Sequence, residues 1–182
     1  IMNSAVNIQN GIQVLSAGDV EISRAQIIHA NVGLSVFANT GTTIASIWAN
    51  NSFFDNCGRG VSITASGASA FVVRSLFDQC WFSSASTDHG LSCNTASGGV
   101  IDGVDINGCH VFLNSANGLQ AFDAGVKNFN VRDSSIAANG QSGVAIVGAC
   151  QNFSVTNNRI GAAFGLSGNS TGIFIGAGAS QY

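Results

Sequence analysis

The chain has 182 residues, 46% of them hydrophobic and only 8% charged, with a formal net charge of −3. This length suits one domain with a substantial core, and the scarcity of charge leaves Ser, Asn, Thr and Gln to form the polar surface. The six basic residues are scattered and no apolar stretch is long enough to span a membrane, so we expect neither nucleic-acid binding nor membrane insertion.

The most regular feature is a glycine followed by an apolar–variable–apolar triplet. It first occurs at Gly11-Ile12-Gln13-Val14 and recurs at intervals of 22, 27, 30, 28, 25 and 29 residues. The seven glycines are Gly11, Gly33, Gly60, Gly90, Gly118, Gly143 and Gly172. A unit that recurs at such intervals indicates a solenoid, in which each repeat forms one coil. We therefore expect each glycine to begin an equivalent strand in about seven stacked coils.

A second strand pattern lies between the glycine-led strands. It reads apolar–x–apolar, then four residues, then another apolar residue, as in Val104-x-Ile106 followed by Val111. We expect the second apolar residue of each pattern, its anchor, to join one inward column. The anchors are Ile22, Trp48, Phe77, Ile106, Val131 and Val155. Short alternating segments bounded by turn residues predict an all-β parallel β-helix. We expect residues 1–182 to form it as a single domain within a longer chain.

Small or turn-forming residues stand three positions after the anchors, where we expect a bend. They are Ala25, Asn51, Cys80, Cys109, Ser134 and Asn158. Their side chains are suited to hydrogen bonding along the stack. Cys80 and Cys109 fall in neighbouring coils within reach of a disulfide, although two stacked free thiols are the favoured interpretation. The cysteines lack paired zinc spacing, and we expect neither a metal nor another cofactor.

The outward positions of the glycine-led strands are almost free of charge. They are Gln13, Ser35, Ser62, Ser92, Gln120 and Ala145, followed by Phe174. A flat, uncharged face of this kind is suited to packing against another chain or to hydrogen bonding with neutral sugars.

Polar and aromatic side chains gather on the outward side of the second strands. Asp78 and Arg132 each follow an anchor, and Trp81 and His110 occupy equivalent bend positions in neighbouring coils. In a shared patch, Trp81 would stack on a sugar ring, Asp78 and His110 would transfer protons, and Arg132 would hold a carboxylate or sulfate. The alternative is that these are solvated turn residues, with Arg132 paired to an acid.

Asp102 and Asp105 supply two further carboxylates in the middle of the chain. Polysaccharide hydrolases use two carboxylates, about 5–5.5 Å apart in retaining and about 6.5–9.5 Å apart in inverting enzymes. Adjacent coils, about 4.8 Å apart, bring such groups together. Asp78, Asp102, Asp105 and His110 are therefore the catalytic candidates. A calcium loop at Asp102–Asn107 lacks the required length, and turn residues are the alternative there.

The repeated turns and glycine-led strands, as in Asn139-Gly-Gln-Ser-Gly-Val-Ala-Ile146, resemble the right-handed parallel β-helix of the pectate-lyase-like superfamily. The uncapped ends and the surface rich in Ser, Asn and Ala are most like the β-helical shaft of a bacteriophage tailspike or tail fibre. This resemblance implies a homotrimer in the virion tail that binds, and in some cases degrades, bacterial surface polysaccharide. The alternatives are a secreted polysaccharide lyase or glycoside hydrolase and a non-catalytic bacterial surface adhesin.

The catalytic motifs of the plant-polysaccharide enzymes in that superfamily are not matched. Asp88-His89-Gly90 is only faintly similar to the Gly-His-Gly of polygalacturonases, and the acidic and basic partners of that motif are missing. The chain has no proline and therefore lacks the proline-containing arginine motif of pectate lyases. We expect His29 and His89 to be structural or exposed, and leave open whether the protein is an enzyme.

Overall fold

The computed structural model describes residues 8–162 and 165–180, so both ends of the predicted domain lie outside the described residues. Three strands form each coil. The strands are β1 (Ile8–Val14), β2 (Val20–Ser23), β3 (Gln26–Ile28), β4 (Ala30–Ala38), β5 (Thr43–Asn50), β6 (Phe53–Asp55), β7 (Arg59–Ser66), β8 (Phe71–Asp78), β9 (Trp81–Ser83), β10 (Leu91–Ala96), β11 (Val100–Asn107), β12 (His110–Phe112), β13 (Leu119–Phe122), β14 (Val126–Arg132), β15 (Ser135–Ala137), β16 (Ser142–Val147), β17 (Gln151–Thr156), β18 (Arg159–Ile160) and β19 (Thr171–Ile175).

Each strand pairs in parallel with the strand three places later in the chain, which gives three sheets. Sheet A contains the seven glycine-led strands from β1 to β19, sheet B contains the second strands from β2 to β17, and sheet C contains the short strands from β3 to β18. The predicted parallel β-helix is confirmed, with six complete coils and β19 as the first strand of a seventh. No described segment forms a helix that is long and apolar enough to cross a membrane.

The repeated glycines form one column at the start of sheet A, as the sequence predicts. Register places Leu34 opposite Val61, so Gly33 and Gly60 are neighbours in successive coils. A β-carbon built on Gly33 would lie 2.5 Å from the carbonyl oxygen of Gly60. Only glycine fits, because the backbones of successive coils approach each other too closely for a side chain at this corner.

The inward columns form a continuous core of aliphatic and phenylalanine side chains. Phe54, Phe77 and Phe82 are all fully buried. The rings of Phe54 and Phe82 stack with centroids 5.8 Å apart, and Phe77 meets Phe82 edge-on at 5.6 Å. These rings fill the interior of the second and third coils and fix the spacing between sheets B and C.

The predicted anchor Trp48 is wrong by one residue. Ala49, not Trp48, pairs with Phe77 in the inward column. Ala49 is fully buried, whereas Trp48 is 45% exposed on the outer face of sheet B. The same shift places Phe54 in the core and Phe53 outside it. Alternation decides the direction of each side chain, and the larger apolar residue of an adjacent pair is not always the inward one.

The corner between sheets B and C repeats the same bend in every coil. Its first residue has a left-handed backbone, with φ between 48° and 60°; these residues are Arg24, Asn51, Gln79, Gly108, Asp133 and Asn157. The next residue points inward, and Ser52 replaces the predicted Asn51 there because of the shifted anchor. Along this inward row, Ser134 Oγ accepts a hydrogen bond from the backbone N–H of Cys109 at 3.0 Å. Cys80 and Cys109 are both free thiols, in line with the favoured interpretation.

A second buried ladder runs along the corner between sheets C and A. Asn114 Nδ2 donates to Asn139 Oδ1 at 2.8 Å, and Asn139 Nδ2 donates to Asn169 Oδ1, also at 2.8 Å. Each amide also binds the backbone, for example from Asn114 Nδ2 to Phe82 O at 3.0 Å. Buried polar groups are tolerated here because the amide side chains and the turn backbone satisfy one another.

Candidate functional site

The four residues of the predicted patch lie on both sides of the corner between sheets B and C. Trp81 and His110 are register partners on sheet C, as their spacing predicts. Asp78 and Arg132 are on sheet B, where Asn107 pairs with both of them. Two bend residues separate the aromatic row from the polar row in each coil. The patch therefore contains two parallel rows, one aromatic and one polar.

The aromatic row begins one coil earlier than the sequence suggests. Phe53, which is 40% exposed, precedes Trp81 in the same column, with ring centroids 5.3 Å apart. Trp81 and His110 follow at 5.0 Å, and Phe112 meets Trp81 edge-on at 5.3 Å. The outer face of sheet C thus carries exposed or half-exposed rings in three successive coils, one in each of the second and third coils and two in the fourth.

A shallow groove of about 350 Å³ runs along this corner. Its lining residues are Asn51, Phe53, Gln79, Trp81, Gly108 and His110. Asn51 and Gln79 stand at the left-handed bend position, so their amide side chains flank the rings of the next strand. The groove combines apolar ring surface with hydrogen-bonding amides, which is the composition of a binding site for an amphipathic small molecule or polymer.

The polar row links Asp78 to Arg132 through one amide. Asn107 Nδ2 donates to Asp78 Oδ1 at 2.6 Å, and Arg132 Nε donates to Asn107 Oδ1 at 3.2 Å. Asn107 therefore orients both charged side chains along the outer edge of sheet B. This bridging role is not visible in the sequence, because the two partners of Asn107 lie in the preceding and following coils.

Asp102 and Asp105 lie further from the corner, on the outer face of β11. Asn128 Nδ2 donates to Asp102 at 2.6 Å, and Asn130 Nδ2 donates to Asp105 at 3.1 Å. Gly103 between them has φ +81°, and the strand bends there in register with Arg74 and Asn128 of the neighbouring coils. Each carboxylate thus faces an asparagine amide of the next coil.

A different charged cluster, which the sequence pattern does not indicate, lies where sheet C turns into sheet A. Arg59 Nε donates to Asp88 Oδ2 at 2.9 Å, and its Nη2 contacts the same oxygen. His89 Nε2 lies 2.9 Å from Asp88 Oδ1, and His89 Nδ1 accepts the backbone N–H of Asn117 at 3.1 Å. Arg59 is 29 residues before Asp88, so only the coil-to-coil register brings them together.

His89 is a structural histidine in this cluster, as expected. Burial lowers the pKa of His89 below its ordinary value of 6.5; the negative charge of Asp88 opposes this shift, and the positive charge of Arg59 reinforces it. Both ring nitrogens already have partners, since one faces Asp88 and the other accepts a backbone N–H. This arrangement links three coils and leaves neither nitrogen for proton transfer to a ligand.

The architecture and this groove define a parallel β-helix with a shallow groove along its outer face. The chain matches the family described as "Right handed beta helix region" over residues 2–181 and belongs to that family. No curated protein and no solved structure was found to match the chain.

Proposed function

We propose that the protein binds bacterial surface polysaccharide in the groove between sheets B and C, as the β-helical part of a bacteriophage tailspike or tail fibre. The observation that carries this proposal is the row formed by Phe53, Trp81 and His110, with the amides of Asn51 and Gln79 beside it. A polymer of sugar rings has a matching composition, with apolar C–H faces and hydroxyl groups on each unit.

The geometry favours a ligand that extends along the helix axis. The rings repeat once per coil, at centroid separations of 5.3 and 5.0 Å. Amide side chains stand at the bend in the second and third coils, as Asn51 and Gln79, and Gly108 takes this position in the fourth coil. A repeating polymer would therefore meet a ring in each of these successive coils, and affinity would accumulate along its length.

The test compares the two tryptophans of the chain. Trp81→Ala removes the central ring of the groove, whereas Trp48→Ala removes a 45% exposed tryptophan that lies outside the groove lining. We expect Trp81→Ala to weaken binding to purified capsular polysaccharide or lipopolysaccharide from a bacterial panel by about tenfold or more, and Trp48→Ala to leave it unchanged. Equal effects of the two variants would contradict this location of the site.

Depolymerase activity is the second candidate, with Asp78 and His110 as the proton-transfer pair. It is favoured by the position of Asp78 and His110 on either side of the same corner in neighbouring coils, next to the groove. Asp102 and Asp105 would act only on a polysaccharide that also crosses the outer face of sheet B. New reducing ends or unsaturated uronates, lost in Asp78→Asn and His110→Gln, would support cleavage. Binding without any new chain ends favours a receptor-binding protein or the alternative of a surface adhesin.

We also propose that sheet A packs against further copies of the chain in a homotrimer. Its outward column is uncharged, and Arg59, which reaches it by donating to Ser62 Oγ at 3.1 Å, is neutralised by Asp88. Phe37, Phe122 and Phe174 are 36%, 37% and 47% exposed on this face. Sedimentation equilibrium tests the assembly: a trimer that Phe122→Ser weakens supports it, and a monomer favours the adhesin alternative.

A further inference from the structure

We infer that the groove between sheets B and C selects uncharged glycans over glycans rich in uronate or sulfate. This inference rests on the proposed function. The six residues that line the groove contribute aromatic rings, two amides and the backbone at Gly108, and none of them is Asp, Glu, Lys or Arg. Recognition within the groove must then come from ring packing and neutral hydrogen bonds.

Two carboxylates flank the groove in the coils that form it. Asp55 follows Phe53 by two positions on β6, where its Oδ1 accepts a hydrogen bond from Ser83 Oγ at 2.7 Å. Asp78 precedes Gln79 and accepts from Asn107 at 2.6 Å. These hydrogen bonds hold the carboxylates in place on opposite sides of the aromatic row. An anionic sugar in the groove would therefore approach fixed negative charge on either side.

Arg132, which the sequence predicts to hold a carboxylate or sulfate of the ligand, is not among the residues that line the groove. The lining residues come from the second, third and fourth coils, whereas Arg132 belongs to β14 in the fifth coil. Its Nε is already directed at Asn107 Oδ1. This bond brings the Arg132 side chain to the fourth coil, on the sheet B side of the corner and outside the groove lining. The anion-binding role of Arg132 stays a prediction, and the groove lining itself contains no Lys or Arg.

The expected discrimination follows from the repulsion of like charges. Each approach of an anionic sugar to within about 4 Å of Asp55 or Asp78 weakens binding by about fivefold in water, and more where solvent is excluded. Salt screens this repulsion, so added salt strengthens the binding of an anionic polymer and leaves that of a neutral polymer unchanged. Specificity then comes from a repulsive element and not from an extra attractive contact.

The experiment uses one polymer in two charge states. Polygalacturonate and its carboxyl-reduced, neutral form are compared with neutral glucans, mannans and surface glycans isolated from bacteria, by affinity electrophoresis at low and high salt. We expect the neutral form to bind at least fivefold more tightly than the anionic form at low salt, and this gap in affinity to become smaller at high salt. The double variant Asp55→Asn, Asp78→Asn should narrow the gap at low salt. Asp19→Asn removes an exposed carboxylate in the first coil and is the matched control.

Each outcome is decisive. Tighter binding of the anionic form, or an unchanged gap in the double variant, overturns the inference and leaves the proposed function standing. Binding of no polymer, including the isolated surface glycans, overturns the proposed function together with the inference. Preference for neutral polymers that Trp81→Ala abolishes and Asp19→Asn preserves supports both.

Discussion

A β-carbon added to Gly118 would lie 2.7 Å from the carbonyl oxygen of Gly143, one coil further along the helix. The obstacle is backbone, which cannot rotate away as a flexible side chain can. Gly118→Ala should therefore lower the free energy of unfolding by about 3 kcal/mol, because the overlap forces two coils apart. Denaturant unfolding followed by circular dichroism measures this change.

Gly18→Ala is the matched control for that substitution. A β-carbon at Gly18 meets no atom within 4 Å, and its φ lies outside the left-handed region. We expect its unfolding free energy to stay within about 0.5 kcal/mol of that of the unmodified protein. Equal losses from Gly118→Ala and Gly18→Ala would mean that close coil contact is not the reason for the repeated glycine.

Truncation of one asparagine in the buried ladder should cause a large loss of stability. Asn139 Oδ1 accepts from Asn114 Nδ2, and Asn139 Nδ2 donates to Asn169 Oδ1. Asn139→Ala leaves these buried partners unsatisfied, and we expect unfolding to become easier by about 2–4 kcal/mol. Asn31→Ala, at an exposed position on β4, should cost less than about 0.5 kcal/mol. Thermal melts of the two variants would refute the role of the ladder if they coincide.

Ser75 is a polar residue in an otherwise apolar inward column, between Ile47 and Val104. Its Oγ is buried and has no hydrogen-bond partner among the described residues. Ser75→Ala removes an unsatisfied hydroxyl without creating a large cavity, so the free energy of unfolding should rise by about 1 kcal/mol.

Ser134→Ala provides the opposite case. Ser134 Oγ donates to the carbonyl of Arg132 at 2.8 Å and accepts from the N–H of Cys109 at 3.0 Å. This substitution should lower the free energy of unfolding by about 1–2 kcal/mol, because it leaves a buried N–H without its acceptor. Urea titrations of Ser75→Ala and Ser134→Ala should show changes of opposite sign in the free energy of unfolding. A loss of stability in Ser75→Ala would contradict the prediction for the core.

The cluster around His89 predicts a loss of stability in mild acid. The pKa of His89 is lower in the folded protein than its ordinary value of 6.5, chiefly because of burial. The contribution of neutral His89 to the free energy of unfolding is thus complete above pH 6.5. It is lost as the pH falls towards the pKa of His89 in the folded protein, because the unfolded state then binds the extra proton. Protonation of His89 at Nδ1 would also turn an N–H towards the backbone N–H of Asn117, so that two hydrogen-bond donors would face each other.

His89→Gln should flatten this part of the pH profile. We expect a smaller fall in melting temperature between pH 7.5 and pH 5 than in the unmodified protein, even if its stability at pH 7.5 is lower. His29→Gln, at an exposed position before β4, is the control and should keep the original slope. An unchanged slope in His89→Gln would show that other groups cause the acid sensitivity.

The sequence predicts the scaffold because a solenoid repeats each position. The glycines from Gly11 to Gly172 recur once per coil, so a local pattern already defines the column, its strand and its parallel neighbours. Period-two alternation likewise predicts the second strands, and the equivalence of Trp81 and His110 follows from the same count. These features depend on spacing along the chain, which tertiary packing leaves unchanged.

Other features depend on contacts between coils and could not be derived from spacing. Alternation allows either Trp48 or Ala49 to face inward, and the crowded interior around Phe77 accepts the smaller side chain. This choice moves Phe53 to the surface, where it extends the aromatic row. Asn107 bridges Asp78 and Arg132 only because the coils stack in register.

The spacing of residues along the chain therefore specifies the parallel β-helix, the glycine column and the grouping of aromatic and polar residues near one corner. The tertiary structure decided which of two adjacent side chains is buried, and which charges meet across coils, as Arg59 and Asp88 do. The physical reason is that strand periodicity is local, whereas packing volume and charge pairing are set by the neighbouring coil about 4.8 Å away.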